Sequence, residues 1–394
     1  MIAFLRVSCH ICYNRIMPRD VALYVHIPFC RRKCHYCSFV SYEYREAEIP
    51  AYLSALKKEL VWRARGERVR SIYFGGGTPS LLSARQVEDI LTTISSLFAV
   101  DEEAEITMEA NPGTVNTIYL TAIRSLGVNR LSLGVQSLND GELALLGRIH
   151  TRAEARDAVR FARNSGFKNL SLDLIYGLPG QTLPDWQNTL DEVIDLGPEH
   201  LSLYALSVEA DTPMWKAIEN KHIPDIDPDL SADQYELAED VLSTHGYHHY
   251  EISNWAKEGR ECHHNMTYWE NMPYLGLGIG AHSYLDGHRL ANTQSLDKYL
   301  AAFSNNLQPV LDLDEEISPE LQLAETVILG LRLRDGIDTD NIRSRFGIDL
   351  LECYSQQVET LVGFGLLEYV GQHVRLTRRG RLLSNEVFWR FLPG

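Results

Sequence analysis

Three of the seven cysteines fall within one short segment, at Cys30, Cys34 and Cys37. The spacing C-x3-C-x2-C lets a single loop present three thiolates to one iron-sulfur cubane. Four-iron clusters in electron carriers take four cysteine ligands. A cubane held by three leaves one iron open to another molecule. The spacing therefore predicts a [4Fe-4S] cluster with a free coordination position.

Two plainer interpretations of these cysteines stay open on spacing alone. A zinc site needs four ligands and usually draws them from two separated pairs. The only further donor nearby, His35, lies inside the same loop. The cysteines could also be buried thiols that bind no metal.

Apolar runs that alternate with helical patterns predict the strands and helices that position this loop. An apolar run over 21–27 predicts a buried strand whose carboxyl end carries the cysteines. Five further units follow, each an apolar run and then a helical pattern, and the capping-box sequences at Ser83 and Thr151 open two of the helices. The predicted strands are 21–27, 69–74, one beginning at 105, 130–135, 170–175 and 200–206.

Six strand-helix units with strands covered on both faces predict a parallel sheet with right-handed crossovers. A doubly wound open sheet and a barrel both fit that alternation. Polar or glycine-rich residues follow each strand, which is typical of a barrel with one shared site at its top face. Since there are six units and not eight, we predict an α/β fold with an incomplete (β/α)6 barrel.

The composition and charge of the chain exclude some classes of partner and indicate its compartment. The chain has 394 residues and a formal net charge of -16, which argues against non-specific binding to nucleic acid or anionic membranes. No apolar run reaches the ~18 residues of a membrane span. Residues 1–16 hold Cys9 and Cys12 and are expected to be a disordered leader or an over-called start. Clustered, odd-numbered cysteines favour a reducing compartment, and we expect the cytoplasm.

Two domains are predicted after that leader. Residues 17–310 form the barrel with an extension, and residues 311–394 read as three helices and a hairpin, a winged-helix-like module. Some winged helices bind DNA. This segment, however, has nine basic and fourteen acidic residues, so no nucleic-acid partner is expected. We interpret the module as a lid or docking surface.

The cysteine motif on strand one, together with Gly75-Gly76-Gly77-Thr78-Pro79-Ser80 on strand two, resembles the radical S-adenosylmethionine (SAM) superfamily. The resemblance implies that the open iron binds the amino and carboxylate groups of SAM, and that one electron splits SAM into methionine and a 5′-deoxyadenosyl radical. It assigns no side chain as catalytic. The SAM contacts that it implies are Tyr24, Tyr36, Gly76, Gly77, Thr78, Glu109, Gln136, Arg148 and Asp173.

Each implied contact makes physical sense and also has an ordinary alternative. The glycines allow a close backbone approach to the SAM amino group. Glu109 and Asp173 can accept hydrogen bonds from hydroxyls, and Arg148 can donate two parallel hydrogen bonds to a carboxylate. The same residues could equally be a turn and barrel-top ion pairs. Tyr24 and Tyr36 could pack against adenine and the cluster, or simply belong to the core.

Within the superfamily the chain is similar to oxygen-independent coproporphyrinogen III dehydrogenases, but Phe39 stands where those enzymes carry a further cysteine. A second motif, H-N-x-x-Y-W, resembles the haem-binding signature of the HemW-type haem chaperones. It implies an imidazole ligand for haem iron and flat apolar faces for the macrocycle. A surface histidine beside aromatic packing is the alternative. The implied haem residues are His264, Asn265, Tyr268 and Trp269, with Cys262 as a further candidate.

Taken together, the resemblance implies a chaperone that binds [4Fe-4S], SAM and haem and passes haem to acceptor haemoproteins. A low-potential electron donor such as flavodoxin or ferredoxin is implied as a partner. The alternatives are a radical enzyme acting on a porphyrinogen, a related methyltransferase, and a non-enzymatic metal-binding scaffold. Whether SAM is cleaved stays open.

Overall fold

The computed structural model describes residues 19–305 and 308–393, so the expectation for the leader 1–16 lies outside the described residues. Six parallel strands in sequential order form the centre of one twelve-stranded sheet. This confirms the predicted incomplete barrel. The parallel strands are β1 (Asp20–Ile27), β2 (Arg68–Gly76), β3 (Ala99–Ala110), β4 (Arg130–Gln136), β5 (Leu170–Tyr176) and β6 (His200–Ala205).

Six shorter strands widen the sheet at both edges, and the sequence did not predict them. They are three to six residues long, too short for a clear periodicity. Only β9 runs parallel to its inner neighbour, β1. The full order is β12-β11-β10-β9-β1-β2-β3-β4-β5-β6-β8-β7. The added strands are β7 (His248–Glu251), β8 (Asn254–Ala256), β9 (Tyr274–Leu277), β10 (His282–Leu285), β11 (His288–Asn292) and β12 (Leu311–Glu316).

The crossover helices follow the strands as expected. Both predicted capping boxes form, with Ser83 bonded to Gln86 and Thr151 to Glu154. None of the helices among the described residues is both long and apolar enough to cross a membrane. Up to residue 304 the helices are α1 (Ile49–Arg63), α2 (Ala84–Leu97), α3 (Thr117–Ser125), α4 (Asp140–Leu145), α5 (Arg152–Asn164), α6 (Leu183–Asp195), α7 (Pro213–Glu219), α8 (Pro228–Thr244), α9 (His263–Trp269) and α10 (Leu296–Ser304).

A second hydrophobic core begins at Leu323. β12 pairs with β11, so residues 311–316 lie in the large sheet. The domain division at 310/311 stays a prediction. The third predicted helix is divided at Tyr354. The elements of this part are α11 (Pro319–Gly330), α12 (Thr339–Phe346), α13 (Leu350–Cys353), α14 (Ser355–Gly363), β13 (Leu367–Val370), β14 (His373–Leu376), α15 (Arg378–Leu382) and α16 (Ser384–Phe388).

The two faces of the large sheet differ in chemistry. Alternate residues such as Leu23 and Val25 face the helices and form the main core. The other face carries polar side chains that bond across strands, for example Tyr73 to Glu109 and Ser132 to Asp173. The inside of the barrel is therefore a polar column, and its upper end forms the candidate site.

Candidate functional site

A cavity of about 430 Å³ opens at the carboxyl ends of the parallel strands. All three motif cysteines line it, so the structure brings the predicted cluster ligands to one place. Every predicted SAM contact except Tyr24 lines the same cavity. These residues are Cys30, Cys34, Cys37, Tyr36, Gly76, Gly77, Thr78, Glu109, Gln136, Arg148 and Asp173.

The cysteine loop is held by contacts to other strand ends. The Thr78 hydroxyl donates to Cys30 Sγ at 3.6 Å, and Arg148 Nη1 donates to Cys34 Sγ at 3.3 Å. Burial raises the pKa of the Cys30 and Cys37 thiols. Iron binding has to displace these thiol protons, as for any thiolate ligand. Three thiolates facing one cavity, with donors to two of the sulfurs, fit a cubane.

The glycines of the second strand are required by packing inside the protein. Gly76 has φ +110, and a Cβ there would lie 2.4 Å from the His26 ring. A Cβ on Gly77 would lie 2.8 Å from the carbonyl oxygen of Phe29. Any larger side chain would push this loop away from the strand that carries Cys30. The glycines thus hold two halves of the site together, a reason that the sequence hypothesis did not include.

Two half-buried carboxylates face the cavity, Glu109 from β3 and Asp173 from β5. Glu109 accepts from the Tyr73 hydroxyl at 2.9 Å and from the backbone N–H of Gly76 at 3.2 Å. Burial, together with the charge of Asp173, raises the pKa of Glu109 to about 7. Burial also raises the pKa of Asp173, while hydrogen bonds from Ser202 and Ser132 oppose that rise. Both carboxylates are placed to accept hydrogen bonds from a bound ligand.

Arg148 links the cluster loop to a residue that the sequence analysis missed. Its Nη2 donates to Asn111 Oδ1 and to the carbonyl oxygen of Gly134, and Asn111 in turn donates to Thr78 at 2.9 Å. Arg148 Nε is buried and has no hydrogen-bond partner among the described residues. An orphaned buried donor costs free energy, and a ligand carboxylate at this position would satisfy it. The available signal for Asn111 was its position directly after β3.

Two of the predicted SAM contacts, Gln136 and Tyr24, have different positions relative to the cavity. Gln136 lines the cavity with φ +67, a conformation that non-glycine residues adopt rarely and that is typical of functional sites. Tyr24 does not line the cavity. It lies earlier on β1, beneath the strand ends, where its ring stacks near Tyr73 and its hydroxyl bonds His26 Nδ1. The direct contact of Tyr24 with SAM therefore stays a prediction.

The H-N-x-x-Y-W motif forms α9, which lies below the cavity against the inner face of the sheet. Glu105 accepts from the backbone N–H groups of His263 and His264, at 3.2 and 3.1 Å, and from the Cys262 thiol at 3.4 Å. An acidic side chain at a helix amino terminus is a stabilising arrangement. The helix therefore closes the lower part of the barrel.

The structure buries His264, whose imidazole is the predicted haem ligand. Its side chain is 1% exposed. Its Nδ1 shares a hydrogen bond with the Ser71 hydroxyl, and its Nε2 shares one with the Tyr268 hydroxyl, both at 2.9 Å. Burial, assisted by the charge of Arg130, lowers the pKa of His264 to about 3. No ring nitrogen is free for iron while α9 stays in place.

The other motif residues are also engaged. Burial raises the pKa of the Cys262 thiol to about 12, so the thiolate form is strongly disfavoured. The ring of Trp269 is covered by the Arg332 guanidinium at 4.2 Å, and Asn265 is half-buried. The structure thus groups the predicted haem residues on one helix but presents none of them as an open haem ligand.

Comparison with known proteins agrees with this geometry. Residues 24–193 match the Radical SAM superfamily, and residues 317–383 match the HemN C-terminal domain. The chain is 35% identical to "Heme chaperone HemW" of Bacillus subtilis, over 94% of this chain and 98% of that protein. It is 34% identical to the protein of that name from Escherichia coli K12, with the same coverage of both chains. The chain belongs to the HemW family of radical SAM proteins.

A solved structure supports the same fold for this HemW-family chain. It is titled "Coproporphyrinogen III oxidase (HemN) from Escherichia coli is a Radical SAM enzyme", with a TM-score of 0.83 and 25% identity over 95% of this chain and 90% of that one. Radical SAM membership implies a [4Fe-4S] cluster and SAM. Cys30, Cys34 and Cys37 are the residues that would hold the cluster. The unpartnered Arg148 Nε and the acceptors Glu109 and Asp173 fit SAM.

Proposed function

We propose that this chain is a haem chaperone that binds a [4Fe-4S] cluster, SAM and haem, and passes haem to acceptor haemoproteins. The observation that carries the proposal is the identity of about a third, over nearly the whole of both chains, to proteins named for that activity. The cavity at the barrel top supports the cluster and SAM parts of the proposal.

The cluster, when bound, supplies one-electron chemistry to SAM. The chain's own residues hold and orient the ligand. Glu109 and Asp173 accept from its hydroxyls, and Arg148 pairs with its carboxylate while also contacting Cys34. A single arginine that touches both the ligand and a cluster cysteine would fix the distance between them.

For haem we propose the H-N-x-x-Y-W helix as the binding element, with His264 as the iron ligand after α9 has left the barrel. In the closed arrangement, Ser71 and Tyr268 occupy both ring nitrogens. Haem binding would then be slower than diffusion, because it waits for the helix to open. His263 is exposed on the same helix and is the natural competitor as ligand.

A haem titration with matched variants tests this proposal. A one-to-one complex with a shifted Soret band is expected for the wild type, to be lost in His264→Ala and kept in His222→Ala, an exposed histidine on another surface. Thermal melts of each variant check folding. If haem binding were lost in His263→Ala and retained in His264→Ala, the iron ligand would be His263 and not His264. If no variant or wild-type chain bound haem, the chaperone proposal would be wrong.

The partners follow from the same proposal. Haemoproteins receive the haem, and a low-potential donor reduces the cluster. We propose the cytoplasm as the compartment, since exposed or half-buried thiols such as Cys34, Cys37 and Cys353 would be kept reduced there.

A second candidate function is radical chemistry on a porphyrinogen. The structural likeness to HemN favours it. Phe39, which replaces the further cysteine of those enzymes, stands against it. Anaerobic incubation with coproporphyrinogen III, SAM and a reductant separates the two candidates. Decarboxylated product would support the enzyme, whereas haem binding without turnover would support the chaperone.

A further inference from the structure

In the part of the chain that the structure describes, a large cavity and a narrower crevice both reach cluster cysteines. The large cavity touches all three, and SAM would fill much of it. A narrower crevice beside it reaches Cys34 from the protein surface, with Arg31, Arg32 and Ile149 on its outer walls. With SAM in the large cavity, a molecule that must approach the cluster from outside has the crevice as its open route.

The surface around this crevice has an unusual charge for this protein. The chain carries a formal net charge of -16, yet two exposed arginines stand side by side next to a cluster cysteine. Neither Arg31 nor Arg32 forms an ion pair with any residue that the structure describes. By contrast, Arg45, farther along the same loop, is paired with both Glu48 and Asp297. Unpaired cations on an acidic protein create a local positive potential.

Two exposed apolar side chains lie near these arginines: Ile149 lines the crevice with both of them, and Phe39 lines the large cavity with Arg32. Phe39 is 66% exposed and Ile149 is 47% exposed. Arginine and aromatic residues are the types enriched at protein-protein interfaces, while charged rims mainly raise association rates. A small anion would need the arginines alone. The apolar side chains next to them favour a protein as the occupant.

We propose that Arg31, Arg32, Phe39 and Ile149 form a docking face for an acidic protein that delivers one electron to the cluster. This rests on the proposed cluster function and names the place and chemistry of its redox partner. In the step, the donor is oxidised by one electron and the cluster is reduced by one, while no bond is formed or broken. The positive face steers the acidic donor, and the crevice beside Cys34 is the point of closest approach.

The test compares two reductants on the full chain with its cluster assembled. Stopped-flow bleaching of the cluster absorption is followed with reduced flavodoxin, an acidic protein, and separately with dithionite. In the double variant Arg31→Glu/Arg32→Glu, the flavodoxin rate at low salt is expected to fall about 10-fold or more, within the range of electrostatic steering. The dithionite rate should fall much less than the flavodoxin rate, since dithionite is a small anion that needs no docking face. The wild-type flavodoxin rate should also fall as salt rises.

The matched control is Arg124→Glu. It reverses the charge of an exposed arginine at the far end of α3 that also forms no ion pair with the described residues. It should leave both rates close to those of the wild type. Equal flavodoxin rates in the double variant and the wild type would overturn the proposal. So would an equal loss in Arg124→Glu, because the effect would then come from net charge. A chain that assembles no cluster, and so shows nothing to bleach with dithionite, would instead refute the underlying cluster function.

Discussion

At the scale of single residues, we expect the protonation of Glu109 to determine how tightly the cavity binds SAM. Its pKa is raised to about 7, so near neutral pH a large fraction of the chains carries a neutral carboxyl that is a poorer acceptor. We expect SAM affinity to weaken as pH falls from 8 to 6. In Glu109→Gln, affinity should be lower at pH 8 and nearly independent of pH. Equilibrium SAM binding at several pH values measures both.

The control for this experiment lies on the same strand. Glu102→Gln removes an exposed carboxyl far from the cavity and should retain the wild-type pH profile. The same raised pKa also affects stability. A buried carboxyl with a raised pKa contributes most below its unfolded pKa, and that contribution is lost as pH rises through about 7. A pH-independent SAM affinity in the wild type would contradict the role given to Glu109.

At the scale of elements, Glu105 anchors the amino terminus of α9. Glu105 accepts from two backbone N–H groups and from the Cys262 thiol, so Glu105→Gln weakens the anchoring while keeping one acceptor oxygen. If His264 binds haem only after α9 opens, haem association should become several-fold faster in this variant, because the competent state is more populated. His264→Ala should act in the opposite direction. Stopped-flow haem binding measures the rate.

The same experiment also shows whether α9 gates the haem site. Unchanged association in Glu105→Gln, with lost binding in His264→Ala, would mean that the helix does not gate the site. Faster hydrogen exchange in α9, but not in α2, confirms that the substitution loosens the intended element.

The elements show why the sequence predicted some features and missed others. The six parallel strands and the caps at Ser83 and Thr151 depend on local pattern, so they were recovered. The short edge strands β9 to β12 carry little periodicity. The placement of His264 depends on Ser71, 193 residues away, and on Glu105. A local motif identifies the residues but cannot say which surface they will face, so the burial of His264 inside the barrel could not be predicted from it.

At the scale of the whole molecule, Glu239 is one of several groups that join the C-terminal module to the barrel. Glu239 on α8 pairs with Arg381 and Arg378 from the module, and lies 3.5 Å from His249 Nδ1. Burial opposes the charged form, but the hydrogen bond with His249 and the nearby arginines lower the pKa of Glu239 to about 2. The contribution of this cluster is thus present above the unfolded pKa of ~4.3 and is lost only as pH falls through about 2.

The contribution of Glu239 to docking should therefore be constant from pH 8 to 5, and docking should be sensitive to the loss of Glu239. In Glu239→Gln, the Arg381 side chain, 3% exposed, keeps its charge without a carboxylate partner. Removing one member of a buried pair costs about 3 kcal/mol, which corresponds to roughly 100-fold faster hydrogen exchange in α15. Glu359→Gln, an exposed change on α14, should leave exchange unaltered. Because the module's own core does not include Glu239, exchange within α11 should stay slow. Equal acceleration of α11 and α15 would show global unfolding and not undocking.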